Sequence, residues 1–219
     1  MAFEYIDVAQ WDRREVYRRY IDDVACSYSA TVDIDVTPLQ GQKLYPAMLW
    51  LLTDTVNAFA EFRTQYTPGG VGVFDAMHPS YTIFNRETER FSVIWTAFDP
   101  DYRVFLGRYT EDVETYRRAT AFFPKPGMPE NTFDVSMIPW FRFSAFNLNI
   151  HGGGKHLLPI FTMGKTHAAE GRMLLPLSIQ VHHAVCDGFH LARFLDALQT
   201  RISAFQPRGA GDASPPAGR

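Results

Sequence analysis

The residues Gln180-Val181-His182-His183-Ala184-Val185-Cys186-Asp187-Gly188-Phe189-His190 crowd imidazoles, a thiol, a carboxylate and a glycine into one short stretch. An imidazole with an ordinary pKa near ~6.5 is largely neutral at pH 7, so it can take a proton from a hydroxyl if it is held in a fixed orientation. That is the work of a general base. Other chemistries compete for the same residues. His183, Asp187 and His190 are spaced like metal ligands on one helical face, a reading that fails if His183 lies on a strand. Cys186 offers a thiol nucleophile. Asp187 alone is a good helix N-cap, which leaves a core histidine and a capping aspartate as the bland alternative. No Gly-x-Ser-x-Gly elbow is present, so Asp187 is not the third member of such a triad.

These side chains need a scaffold that ends one element and begins another at a single point. Upstream, Met173-Leu174-Leu175-Pro176-Leu177-Ser178-Ile179-Gln180-Val181 is apolar with β-branched members, the pattern of a largely buried strand. Downstream, Leu191, Leu195, Leu198, Ile202 and Phe205 recur at steps of four and three, one face of a helix. Asp187 and Gly188 fall at the junction. If the histidine pair is extended, His182 and His183 point to opposite faces.

Elsewhere, Asp12 is placed to cap a first helix reaching about Asp23, and Met48, Leu52, Val56, Phe59 and Phe62 mark a second after Pro46. Pro68-Gly69-Gly70 breaks the chain. Residues 81–84 and 91–98 read as a hairpin around a polar turn. A helix is expected over 112–123, stopped by Pro124 and Pro126. Strands are expected over 141–150, 157–163 and 172–181, the last two joined by a polar loop at 165–171. Gly152-Gly153-Gly154-Lys155 lacks the Walker spacing and its Ser or Thr, and reads as a flexible surface loop. From Pro207 onward no apolar periodicity remains, so a single domain over 1–206 and a disordered tail over 207–219 are expected.

The histidine stretch is similar to the active-site signature of the chloramphenicol acetyltransferases. Trp11-Asp12-Arg13-Arg14-Glu15, Lys43-Leu44-Tyr45-Pro46, Glu87-Thr88-Glu89-Arg90-Phe91-Ser92, Pro129-Glu130-Asn131, Ser136-Met137-Ile138-Pro139-Trp140 and Phe146-Asn147-Leu148-Asn149 fit the same family in the same order. The resemblance runs from residue 11 to about residue 205. His-x-x-x-Asp-Gly alone is less specific, because dihydrolipoyl acyltransferase cores and peptide-synthetase condensation domains resemble it too.

The resemblance implies an α/β protein of the α+β two-layer kind, a mixed sheet with helices packed on one side. It implies acetyl transfer from acetyl-CoA, a co-substrate rather than a tightly bound cofactor, to the 3-hydroxyl of chloramphenicol in a ternary complex. By resemblance His183 is the general base, Ser136 stabilises the oxyanion, Thr162 assists through water, and Asp187 pairs with Arg13 to shape the turn. Cys186 becomes a small buried hydrophobe. The acceptor pocket maps onto Tyr20, Val24, Tyr28, Phe91, Phe123, Phe146, Leu148 and Ile160, all of which are ordinary core residues by composition. Lys43 and Lys165 fall near the 3′-phosphate of coenzyme A and Trp140 among its binding residues, while Thr166 stands where a tyrosine is often found. A homotrimer with sites between subunits is implied as well. The glycine-rich 152–154 segment departs from the family pattern, so another apolar alcohol as acceptor stays open, as does a non-catalytic drug-binding trimer.

Composition narrows the field from outside. With 219 residues, 46% of them hydrophobic and 15% aromatic, the chain can bury one sizeable core. A formal charge of −3 with no basic stripe argues against nucleic acid. No apolar run of membrane-spanning length and no signal-peptide pattern is seen, and two cysteines make no disulfide framework, so no membrane is expected and the cytoplasm is the expected compartment.

Overall fold

Apolar residues alternating along strands and recurring along helices sort the chain into ten strands and four α-helices among the described residues of this computed structural model, which are 2–148, 150 and 155–206. In chain order come β1 (Phe3–Tyr5), α1 (Arg14–Arg18) running on into a π turn over Arg19–Asp23, β2 (Ser27–Asp35) and α2 (Leu44–Asn57). Then follow β3 (Thr64–Thr67), β4 (Gly70–Phe74), the hairpin β5 (His78–Asn85) and β6 (Arg90–Trp95), and α3 (Tyr102–Tyr116). The chain closes with β7 (Thr132–Met137), β8 (Ile160–Met163), β9 (His167–Ala169), β10 (Arg172–His182) and α4 (Gly188–Ala204).

The main sheet has the order β2-β10-β8-β7-β5-β6, with β9 also on β10; a small sheet has the order β1-β4-β3. Pairing is parallel between β5 and β7 and between β7 and β8, and antiparallel at the other junctions, so the sheet is mixed. Because side chains alternate, the sheet has two characters. Val135, Phe161 and Ile179 are register partners and are buried at 0–2% exposure. Phe194 of α4 stacks on Phe161 at 5.5 Å and on Phe62 at 4.2 Å, so the helices cover this face. The next residues along, Ser136, Thr162, Ser178 and Thr31, form a row of hydroxyls on the other face.

Several expected elements are displaced. Asp12 does not cap α1, which starts at Arg14 with no side-chain cap. Helix α2 stops at Asn57, yet a 3₁₀ turn still delivers Phe62 to the core. Helix α3 begins ten residues earlier than expected, capped by the Asp101 carboxylate on the Arg103 amide at 2.9 Å, and ends at Tyr116, so Phe123 is not helical. Past α3 the chain instead covers the edge of β6, where the Val93 amide donates to the Phe122 carbonyl at 2.7 Å and Ser92 Oγ to that of Ala121. The expected loop at 165–171 contains β9 and turns back through Glu170 and Gly171, both at positive φ, a hairpin turn that glycine eases. The strand expected from 157 starts only at Ile160.

Residues 141–150 are not a strand among the described residues but a strap across the hydroxyl face. The Lys165 amide holds the Phe141 carbonyl at 3.0 Å, and side-chain hydroxyls of the sheet take the peptide groups of Phe146. The 152–154 loop and the 207–219 tail lie outside the described residues.

Candidate active site

Strand β10 ends at His182, and there the chain turns sharply, the Val185 and Cys186 amides both donating to the His182 carbonyl at 3.1 and 3.0 Å. The first histidine is buried and accepts the Ala184 amide on Nδ1. His183 is the first residue of the turn, its amide tied to the Cys26 carbonyl at 2.8 Å. Its ring stacks face to face on Tyr20, 4.5 Å between centroids and 9° between planes, with Tyr28 edge-on at 5.3 Å. Nδ1 is buried without a hydrogen-bond partner among the described residues. The ring is held by aromatic packing, and the residue keeps partial exposure.

Arg13 closes the turn from the far end of the sequence. Its Nε donates to the Ala184 carbonyl at 2.8 Å, one terminal nitrogen to the His183 carbonyl at 3.0 Å, and the other to Asp187 Oδ2 at 3.0 Å. A planar fork with several fixed donors suits this triple contact, which a lysine cannot reproduce. Asp187 does two jobs, for its Oδ1 also caps α4 through the amides of Phe189 and His190. His190 returns a bond from the Asp187 amide at 3.2 Å and lies 3.5 Å from Glu61, so it belongs to the cap. Burial acts to raise the Asp187 carboxyl, but the Arg13 bond, the His190 amide and the Arg13 charge outweigh it and hold the group below its usual range. Cys186 is 1% exposed, and burial pushes its thiol up to about 12. At neutral pH it is a protonated, packed side chain rather than a nucleophile.

A second group of the expected residues gathers elsewhere. Ser136 and Thr162 are register partners on β7 and β8 with their hydroxyls 3.1 Å apart. Ser136, Phe91 and Trp140 line a cleft of about 650 Å³ together with Tyr45, Thr82 and Tyr109. Phe84 packs edge-on against Trp140 at 4.9 Å, and Phe91 meets Phe122, which in turn meets Phe123. Phe91 and Phe123 are 54% and 59% exposed, an unusual position for phenylalanines in one chain. Val24 and Leu148 are also exposed, Phe146 is half-buried, and Ile160 is buried. Lys43 stands at the N-cap of α2 and Lys165 just past β8, both exposed.

The two groups do not meet within one chain. Ser136 lies two strands across from Ser178 of β10, which comes five residues before His183 in the chain. At about 4.8 Å per strand and 3.3 Å per residue, that is a separation on the order of 19 Å. Thr31 and Ser178, which no spacing in the sequence singles out, complete the hydroxyl row; only the strand register reveals them.

A profile of the chloramphenicol acetyltransferase family matches residues 1–199. The chain is 50% identical over 206 residues to a chloramphenicol acetyltransferase of Campylobacter coli, covering 93% of this chain and 100% of that one. Over 215 residues it is 45% identical to one from Vibrio anguillarum, covering 97% and 100%. A solved chloramphenicol acetyltransferase superposes with a TM-score of 0.81 at 20% identity, over 92% of this chain and 100% of that one. A dihydrolipoamide acetyltransferase of Azotobacter vinelandii superposes at 0.63 with 15% identity, over 93% and 91%, a likeness of fold. The chain belongs to the chloramphenicol acetyltransferase family, a family of acyltransferases.

Proposed function

We propose that this family member moves the acetyl group of acetyl-CoA to the 3-hydroxyl of chloramphenicol and so inactivates the antibiotic, in one direct step within a ternary complex. The observation that carries the proposal is the His183 turn, where Arg13 and Asp187 fix the backbone and Tyr20 and Tyr28 fix the ring. Since Nδ1 is enclosed, Nε2 is the nitrogen that meets the acceptor. It takes the hydroxyl proton as the oxygen attacks the thioester carbonyl. The C–O bond forms, and the negative charge gathers on the carbonyl oxygen, where the Ser136 hydroxyl donates to it. Collapse expels the coenzyme A thiolate, which recovers the proton from the imidazolium. Thr162, bonded to Ser136, assists at the same centre through water. Burial of Cys186 supports direct transfer over an acetylated thiol.

The separation of His183 from Ser136 within one chain supports a homotrimer in which the base of one subunit faces the cleft of the next, a closed ring of heterologous contacts. The exposed Phe91 and Phe123 would then be covered by acceptor and neighbour, joining Tyr20, Val24, Tyr28, Phe146, Leu148 and Ile160 in the pocket. Acetyl-CoA is a co-substrate, with Trp140 beside it and Lys43 and Lys165 near its phosphates. No described helix is long and apolar enough to cross a membrane, and a cytoplasmic location suits the co-substrate.

The test is free-thiol release from acetyl-CoA with purified full-length protein. Release that depends on chloramphenicol is the expected result. Tight drug binding without release would replace the enzyme with a drug-binding trimer, and release only with another primary alcohol would move the acceptor.

A further inference from the structure

We propose that Thr31 and Ser178 are positioning residues for the acceptor: together they clamp the backbone of Phe146 and set the wall against which the acceptor lies. The proposal rests on the acetyl-transfer reading of the site. Thr31 and Ser178 are register partners on β2 and β10, so their side chains stand next to each other on the hydroxyl face. The Phe146 amide donates to Thr31 Oγ1 at 3.3 Å, and Ser178 Oγ donates to the Phe146 carbonyl at 2.5 Å. One residue of the strap thus has both of its main-chain polar groups taken by side chains from the sheet beneath it. A hydroxyl can serve either role, and here one accepts while the other donates.

The same register row continues to Thr162, the partner of Ser178, and to Ser136, the partner of Thr162. The clamp therefore lies about 5 Å from Thr162 and about 10 Å from Ser136, counted as one and two strand spacings. The strap is built beside the hydroxyl assigned to the oxyanion. Its first half has anchors of its own. The Lys165 amide holds Phe141, and the Phe143 ring lies so close over Gly164 that a Cβ there would come within 2.9 Å of it. The Phe146 ring packs on Phe143 at 5.3 Å, and the clamp carries the register on to Phe146 and Leu148. Loss of the clamp should let that wall slide while leaving the His183 turn and the Ser136 pair in place.

The experiment compares Thr31→Val, Thr31→Ser and Ser178→Ala with the parent chain, all full length. Thiol release is followed with chloramphenicol and with the amine that remains when its dichloroacetyl arm is removed. Thr31→Val and Ser178→Ala should raise the KM for chloramphenicol about tenfold while kcat and the KM for acetyl-CoA stay within about twofold. Thr31→Ser, which keeps the acceptor oxygen, should return KM to within about twofold of the parent. The ratio of kcat/KM between the two acceptors should shift about fivefold, and because this ratio does not depend on how much protein is folded, it remains readable if a variant is unstable. An unchanged chloramphenicol KM and ratio in both variants overturns the proposal, as does a loss of kcat that follows a lowered Tm with both KM values constant. A parent chain that releases no thiol with either acceptor is a different failure, that of the acetyl-transfer reading itself.

Discussion

Arg13 and Asp187 stand 174 positions apart in the chain and 3.0 Å apart in the fold, and the same guanidinium holds the carbonyls of His183 and Ala184. The aspartate side chain is 36% exposed against 16% for the arginine, so the two partners are not equal. An ion pair that exposed contributes about 1 kcal/mol at most. The carbonyls lose a charged donor if Arg13 goes, at about 1.5–3 kcal/mol for a hydrogen bond to a charged group. Arg13→Ala should therefore destabilise the protein by about 2–4 kcal/mol in urea unfolding, with Arg13→Lys close to it. Asp187→Asn keeps an oxygen to cap α4 and should cost only about 1 kcal/mol. Equal losses for the two positions would contradict this ordering.

Acid should erase the difference made by Asp187. The folded carboxyl lies below its usual range, so its contribution is present above the unfolded pKa of about 3.9 and is lost as pH falls through the folded value. Urea midpoints of the parent and of Asp187→Asn should differ at pH 7 and converge as pH is lowered below about 4. Solvent screening keeps the effect within about 1 kcal/mol. A gap that widens in acid would reverse the sign of the argument.

Base and oxyanion donor are separable by genetics if they come from different subunits. His183→Ala should lower kcat by at least ~10²- to 10⁴-fold, and Ser136→Ala by about 10²- to 10³-fold, each with an unchanged melting profile. Coexpressing the two variant chains in equal amounts should restore about a quarter of the parent activity, since one pairing in four at each interface of a cyclic trimer joins an intact histidine to an intact serine. Activity no higher than that of the better single variant would place both groups in one subunit's site.

Legibility in the sequence followed how local each signal is. Strand β10 and helix α4 announce themselves, because Met173 to Val181 is one apolar run and Leu191, Leu198 and Ile202 fall on one helical face. Strand β2 alternates Tyr28, Ala30, Val32 and Ile34, a signal present but not among the strands expected, because its outward Ser29, Thr31 and Asp33 also suit a loop. The start of α3 depends on the cap at Asp101, which the apolar spacing beyond residue 112 does not contain. Residues 141–150 carry strand-like alternation, yet the peptide groups of Phe146 bond to side chains of the sheet beneath, so no local pattern distinguishes strap from strand. The Arg13–Asp187 pair and the Ser136–Thr162 pair are long-range facts of register and packing, and the family resemblance rather than spacing put both pairs among the expected site residues.

Cys186 tests the direct-transfer step. With its thiol raised to about 12 by burial, it is protonated at working pH and enclosed by its neighbours. Cys186→Ala should keep more than about half of the parent kcat, at a stability cost of about 1 kcal/mol for the small cavity. Trapping of an acetylated protein by acid quench during turnover, absent in Cys186→Ala, would instead establish a covalent route.

Coenzyme A recognition should read as electrostatics at exposed side chains. Lys43 and Lys165 are both solvent-accessible, so each would act on an anionic phosphate through a screened field rather than a buried contact. Lys43→Ala and Lys165→Ala should each raise the KM for acetyl-CoA, by about tenfold at low ionic strength and less at high salt, with kcat unchanged. If the phosphate they meet is the 3′-phosphate, both effects must shrink when acetyl-3′-dephospho-CoA is the donor, because the charge they neutralise is gone. Thr166→Tyr adds a flat apolar surface next to Lys165 and should lower the same KM if the adenine lies there. A salt-independent rise in KM, retained with the dephospho donor, would mean that these lysines shape the cleft rather than read the phosphate.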